Sequence, residues 1–210
     1  MVDKGQYDTE YKQGPCFWGT APSKYVKLIE KYLPDGKDKK ALDIGAGEGK
    51  NSFFLAEKGF DVTANEISLY AIKNFINEYI RRTNEGFAGN INIVLSDAEK
   101  WLTSGPYDLI VSYGMLHCLK SKENIFNMVD NMKKNTNKNG LNIICTFVKG
   151  LPVPDIQSYL EPTFLSSEEI KGLYSDWEIL DFETDILEHT HPTSKVQHKH
   201  SLCRLIAKKP

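Results

Sequence analysis

Apolar and polar positions along this chain alternate between two periods. Lys40-Ala41-Leu42-Asp43-Ile44, Asp61–Glu66, Ile91–Leu95 and Tyr107–Tyr113 are short runs bounded by turn residues, and each predicts a strand. Between them the spacing turns helical. Asn51 to Lys58 predicts a helix stopped by Gly59. Ser68 predicts the cap of a second, whose stripe Ile72, Phe75, Ile76, Tyr79 and Ile80 has the spacing of one buried face. Ile125, Met128, Val129 and Met132 mark a third, beginning at Ser121, and Gly140 to Val148 is a fifth strand. Ahead of all these, Pro22 to Leu33 fits a helix behind a polar, aromatic-bearing arm over residues 1–20.

Strands alternating with helices imply parallel βαβ units with right-handed crossovers. After Val148 the pattern changes. Residues 149–165 carry Pro152, Pro154 and Pro162 and read as an inserted loop. A short helix runs from Ser166 to Leu173, and two strands, Trp177–Leu187 and Ser201–Lys208, follow with no helix between them. Their connection is too short for a crossover, so they are expected to be antiparallel neighbours. The expected fold is α/β: a doubly wound, Rossmann-like, seven-stranded sheet, mostly parallel with the last strand antiparallel, and helices on both faces. One domain over 1–210 is expected. Residues 133–139 (KKNTNKN) read as a solvated loop.

Composition narrows the classes. The 210 residues carry 26 basic and 28 acidic side chains, a formal net charge of −2, which disfavours a nucleic-acid partner. No apolar run approaches the ~18 residues of a membrane span, and the polar start predicts no secretory signal. Cys16, Cys118, Cys145 and Cys203 show no CxxC pairing and read as reduced thiols, so a cytoplasmic protein is expected. Oligomeric state is not legible.

The chemistry concentrates in residues 41–68. Gly45, Gly47 and Gly49 stand at a strand-to-helix turn, where backbone N–H groups and a helix start can approach a ligand. Glu66 closes the second strand, where a carboxylate can accept ribose hydroxyls. A dinucleotide fingerprint is GxGxxG; this loop is GxGxG, and Lys50 follows.

At D-I-G-A-G-E-G, and in its terminal strand pair, the sequence resembles the class I S-adenosylmethionine-dependent methyltransferases. G-E-G-K-N-S-F-F-L-A-E-K-G-F-D-V-T-A-N-E-I-S, with Phe17-Trp18-Gly19 and Pro22-Ser23 before it, is similar to their tellurite-resistance group. Ala46, Lys50 and Glu66 depart from that group's common cysteine, arginine and aspartate. The resemblance implies S-adenosylmethionine as cofactor. Gly45, Ala46, Gly47 and Gly49 then meet its methionyl part, and Asp43 reaches its amino group through water. Glu66 holds the ribose, Ile67 packs on adenine, Asp97 and the Ala98 N–H read the ring, and Ser112 and Tyr113 line the methionyl pocket. Trp18, on the arm, is a candidate wall for the sulfonium.

A sulfonium methyl is already activated, so alignment and, for a protonated nucleophile, a base suffice; no metal is required. His117 follows the fourth strand, and His189, His191, His198 and His200 fall in or beside the 188–200 connection, at the expected carboxyl rim. His117, His198, His200 and Tyr113 are the candidates for catalysis. Solvated loop histidines, or a metal site whose spacing matches no standard zinc module, are the competing readings. The expected activity is methyl transfer to a small-molecule nucleophile: a chalcogen oxyanion, thiol, amine, hydroxyl or carboxylate. An NAD(P)-linked oxidoreductase and a non-catalytic S-adenosylmethionine- or metal-binding regulator are the alternatives.

Overall fold

A computed structural model describes residues 7–100, 105–155, 161–190 and 196–210. The chain divides into two compact units, residues 1–103 and 104–210. The strand order of the seven-stranded sheet is β3-β2-β1-β4-β5-β7-β6.

In the first unit three short helices, α1 (Asp8–Lys12), α2 (Lys24–Lys27) and α3 (Ile29–Tyr32), precede β1 (Lys40–Ile44), α4 (Lys50–Glu57), β2 (Asp61–Glu66), α5 (Leu69–Asn84) and β3 (Ile91–Leu95). β1 pairs with β2 and β2 with β3, both parallel. The Ser68 hydroxyl accepts from the Ala71 N–H and caps α5 as its sequence predicts. Phe53, Phe60, Phe75, Leu42 and Leu55 are fully buried and form the core. The buried face of α5 is narrower than its apolar stripe. Ile72 and Phe75 point inward, whereas Ile76 and Ile80 are 42% and 54% exposed. The helix expected over 22–33 is two single turns, because the Leu28 N–H bonds the Tyr25 carbonyl three residues back rather than four.

The second unit holds β4 (Tyr107–Tyr113), α6 (Lys122–Lys134), β5 (Thr136–Phe147), α7 (Ser167–Gly172), β6 (Glu178–Thr190) and β7 (Gln197–Lys208). β4 and β5 are parallel; β7 is antiparallel to both β5 and β6. Ser166 and Glu169 make a reciprocal capping box for α7. Two expectations are corrected. β5 begins at Thr136 rather than Gly140, since Thr136 pairs with Tyr107 and its hydroxyl lies within hydrogen-bond distance of the Met132 carbonyl and Asn142 Oδ1. The terminal hairpin is longer at its turn end, because the ladder continues from Ile186↔Ser201 to Thr190↔Gln197. His189, His198 and His200 are therefore strand residues, and only 191–196 joins the two strands. His191 and part of the 149–165 insertion lie outside the described residues.

Candidate active site

In the first unit the β1–α4 turn is built on left-handed glycines: Gly45, Gly47 and Gly49 have φ of 67°, 58° and 83°. An L side chain is strained there, and at Gly47 a Cβ would stand 2.8 Å from the Tyr11 hydroxyl. At Gly49 it would run into the Phe75 ring. The Ala46 N–H donates to the Asn65 carbonyl at 2.9 Å, tying the turn to β2.

Glu66, the last residue of β2, is 6% exposed. Its Oε2 accepts from the Gly47 N–H at 2.8 Å; Oε1 accepts from the Ile67 and Ser68 N–H groups at 2.9 and 2.8 Å. Burial raises its pKa, and the backbone donors oppose that shift. A carboxylate offers about four lone-pair sites. Three are committed to backbone N–H groups, which leaves one on Oε2.

Asp43 is fully buried and accepts from the Ser52 hydroxyl at 2.6 Å, which braces β1 against α4. Desolvation pushes its pKa up to about 6. Asp97 is half-buried after β3; its carboxylate accepts from the Glu99 N–H at 3.0 Å and opens the single 3-10 turn Ala98–Lys100. Ile67 and Ala98 are half-buried.

From Tyr7 onward the arm is tied to the first unit. Glu48, inside the glycine turn, accepts from the Cys16 and Phe17 N–H groups at 2.9 and 2.8 Å and from Asn74 Nδ2 at 2.9 Å. Lys50 Nζ donates to the Trp18 carbonyl, and Asn51 Oδ1 accepts from the Ser23 N–H. Trp18 Nε1 donates to the Tyr11 hydroxyl at 3.2 Å, and its ring meets Tyr7 and Phe17 edge-on. Asp8 accepts from the Ser68 hydroxyl, directly beyond Glu66. The sequence marks Trp18 and Tyr11 as aromatics of the arm but gives no sign of Glu48 or Asp8, whose roles depend on a five-residue helix and on long-range contacts.

In the second unit β4 ends in Ser112 and Tyr113. Ser112 is fully buried, and its hydroxyl has no hydrogen-bond partner among the described residues. Burial raises the Tyr113 phenol well above its usual range, with Cys145 and Arg204 beside it. His117 is 2% exposed. Its Nδ1 accepts from the Phe147 N–H and lies beside the Thr146 hydroxyl, each at 3.3 Å. Desolvation, with His200 nearby, lowers its pKa to about 3, so it is neutral at physiological pH. Phe147 stacks on His117 at 4.1 Å and on His200 at 4.0 Å, and His198 meets His200 edge-on at 5.1 Å. The structure thus joins His117 and His200 through one phenylalanine that no sequence motif marks, and His198 reaches the group through His200. Among the described residues no group of three or more His, Cys, Asp or Glu is placed to hold a metal ion.

The model of the family described as "Tellurite resistance protein TehB" matches residues 28–201. The chain belongs to the TehB family. A Haemophilus influenzae relative named "Probable S-adenosyl-L-methionine-dependent methyltransferase TehB" is 33% identical over 150 residues, covering 71% of this chain and 49% of that protein. The chain spans about half the length of the curated relatives it matches. The crystal structure of TehB from H. influenzae superposes with a TM-score of 0.76 at 28% identity, over 98% of this chain and 67% of that one. A Burkholderia thailandensis N-methyltransferase solved with 1,6-didemethyltoxoflavin and S-adenosylhomocysteine shares the fold, with a TM-score of 0.69 at 16% identity, over 99% of this chain and 87% of that one. The family is thus TehB, and the fold is one that solved methyltransferases share.

Proposed function

We propose that this TehB-family chain transfers the methyl group of S-adenosylmethionine to a small nucleophile in the cytoplasm, as one functional domain over 1–210. The buried Glu66 carboxylate carries the reading: it closes β2, faces the Gly47 N–H and keeps one oxygen lone pair for a ribose hydroxyl. S-adenosylmethionine supplies a methyl carbon already activated by the positive sulfur.

The chain's part is to bind, orient and manage a proton. The glycines Gly45, Gly47 and Gly49, with Ala46, leave the turn bare for the methionyl group. Glu66 holds the ribose, Ile67 supports adenine, and Asp97 with the Ala98 N–H reads its edge. Asp43 is committed to Ser52 and acts on the cofactor through the shape of the turn. The orphan Ser112 hydroxyl fits a ligand that brings an acceptor, and Tyr113 lines the same strand end. Trp18 and Tyr11 offer aromatic faces to a cation. His117, His198 and His200 supply acid–base groups.

The family description favours a tellurium oxyanion, among chalcogen oxyanions, as acceptor, ahead of thiols, amines, hydroxyls and carboxylates. Four cysteines without a disulfide support a reducing compartment, and the −2 charge supports a small acceptor over a nucleic acid. The test is calorimetric titration with S-adenosylhomocysteine and with NADH, followed by S-adenosylhomocysteine release from S-adenosylmethionine in the presence of tellurite or selenite. Binding of S-adenosylhomocysteine alone, with acceptor-dependent turnover, is expected. Binding of NADH instead would sink the reading; cofactor binding without turnover on any acceptor class would leave a regulator.

A further inference from the structure

We propose, resting on the ribose reading of Glu66 above, that Asp8 of the arm is a second cofactor-binding residue: Glu66 receives one hydroxyl of the ribose and Asp8 the other.

A ribose offers two neighbouring hydroxyls, and each needs an acceptor when it leaves water. Glu66 has one lone pair for the two of them. Its Oε1 is taken by the Ile67 and Ser68 N–H groups, and half of Oε2 by the Gly47 N–H. These donors are backbone groups that tie the glycine turn to the end of β2, so they are not given up when a ligand arrives. The second acceptor has to come from another element.

α1 supplies it. Asp8 and Tyr11 stand three positions apart, so they share one face of this helix. That face lies on the turn and on the end of β2: the Tyr11 hydroxyl stands over Gly47, and Asp8 Oδ1 accepts from the Ser68 hydroxyl. Ser68 is 1% exposed and joins the two carboxylates, its N–H donating to Glu66 and its hydroxyl to Asp8. The same hydroxyl accepts from the Ala71 N–H, which fixes its direction and, through it, the position of Asp8. Asp8 Oδ2 has no hydrogen bond among the described residues, and neither carboxylate has an ion-pair partner among them. Burial raises the Glu66 pKa, and the Asp8 charge adds to that rise, so the two groups are near enough to repel. Hydroxyl donors received by both carboxylates offset this repulsion, and a vicinal diol brings two such donors on one ring.

The experiment is calorimetric titration of wild-type protein, Asp8→Asn and Glu66→Gln with S-adenosylhomocysteine and with its 2′-deoxy and 3′-deoxy counterparts. Asparagine at position 8 keeps a carbonyl oxygen for the Ser68 hydroxyl and loses only the second acceptor, so the arm stays docked. The wild type is expected to bind each deoxy ligand about 10-fold more weakly than S-adenosylhomocysteine. Asp8→Asn is expected to bind S-adenosylhomocysteine about 10-fold more weakly as well. It is then indifferent to the absence of one ribose hydroxyl and keeps the full penalty for the other, and Glu66→Gln shows the opposite choice. An Asp8→Asn protein with unchanged affinity, or with the same loss for all three ligands, overturns the assignment of Asp8 and leaves Glu66 in place. Equal affinity of the wild type for all three ligands removes the ribose reading itself, and Asp8 with it.

Discussion

A single carboxylate shows how far residue chemistry goes. Glu66→Gln keeps the shape but replaces an acceptor oxygen with an NH2 that faces N–H donors. Hydrogen bonds to a charged group contribute about 1.5–3 kcal/mol. S-adenosylhomocysteine affinity is expected to fall about 10- to 100-fold by calorimetry; an unchanged affinity would remove Glu66 from the site. Asp43 gives a pH signature. Its pKa is raised from 3.8 to about 6, so the folded protein binds more protons than the unfolded chain between those values. That contribution therefore lowers stability as pH rises from about 4 to 6, by roughly 3 kcal/mol once the group is ionised. Asp43→Asn is expected to flatten that part of the stability curve in denaturant unfolding at several pH values. At this scale the sequence was informative where one side chain has one reason to be present. The glycines, Glu66 and the histidines could be named from type and position. Glu48 could not, since an acidic residue in a turn has many bland uses and its three partners lie 26 to 32 positions away.

At the scale of elements, the arm is the informative piece. α1 has five residues, too few to be stable as an isolated helix, so tertiary contacts must hold it. Glu48→Ala removes the acceptor for two arm N–H groups and for Asn74 at once. It is expected to cost on the order of 2 kcal/mol and to expose the chain near Cys16 to limited proteolysis. Unaltered cleavage kinetics would show that the clamp is not what orders the arm. The strands β1 to β4 were legible to the residue because turn residues bound them. The start of β5 was not: Thr136–Asn139 is polar, and it joins the ladder through the Thr136 side chain and its pairing with Tyr107 rather than through an apolar stripe. The histidine end of the hairpin was missed for the same reason, since its ladder runs through polar residues.

For the molecule as a whole, the buried histidine sets the acid limit. His117 falls from 6.5 to about 3, so between those values the unfolded chain binds the extra proton. Its contribution is present above about 6.5 and is lost as pH falls toward 3, a swing on the order of a few kcal/mol. This is opposite in sign to Asp43, so between about pH 4 and 6 the two contributions largely cancel, and both level off above about 6.5. His117→Gln is expected to have a shallower loss of Tm from pH 6.5 to 4 than the wild type; parallel curves would show that His117 is not what drives acid unfolding.

The Glu48 clamp carries one more consequence. The carboxylate that fixes the arm belongs to the same turn that is proposed to receive the cofactor, so order in one and occupancy of the other are linked quantities. Linkage is reciprocal: whatever factor the cofactor adds to arm closure, arm closure must add to cofactor affinity. A tag or fusion that tugs on the segment before Tyr7 would therefore register as a weakened ligand, with no contact to the ligand at all.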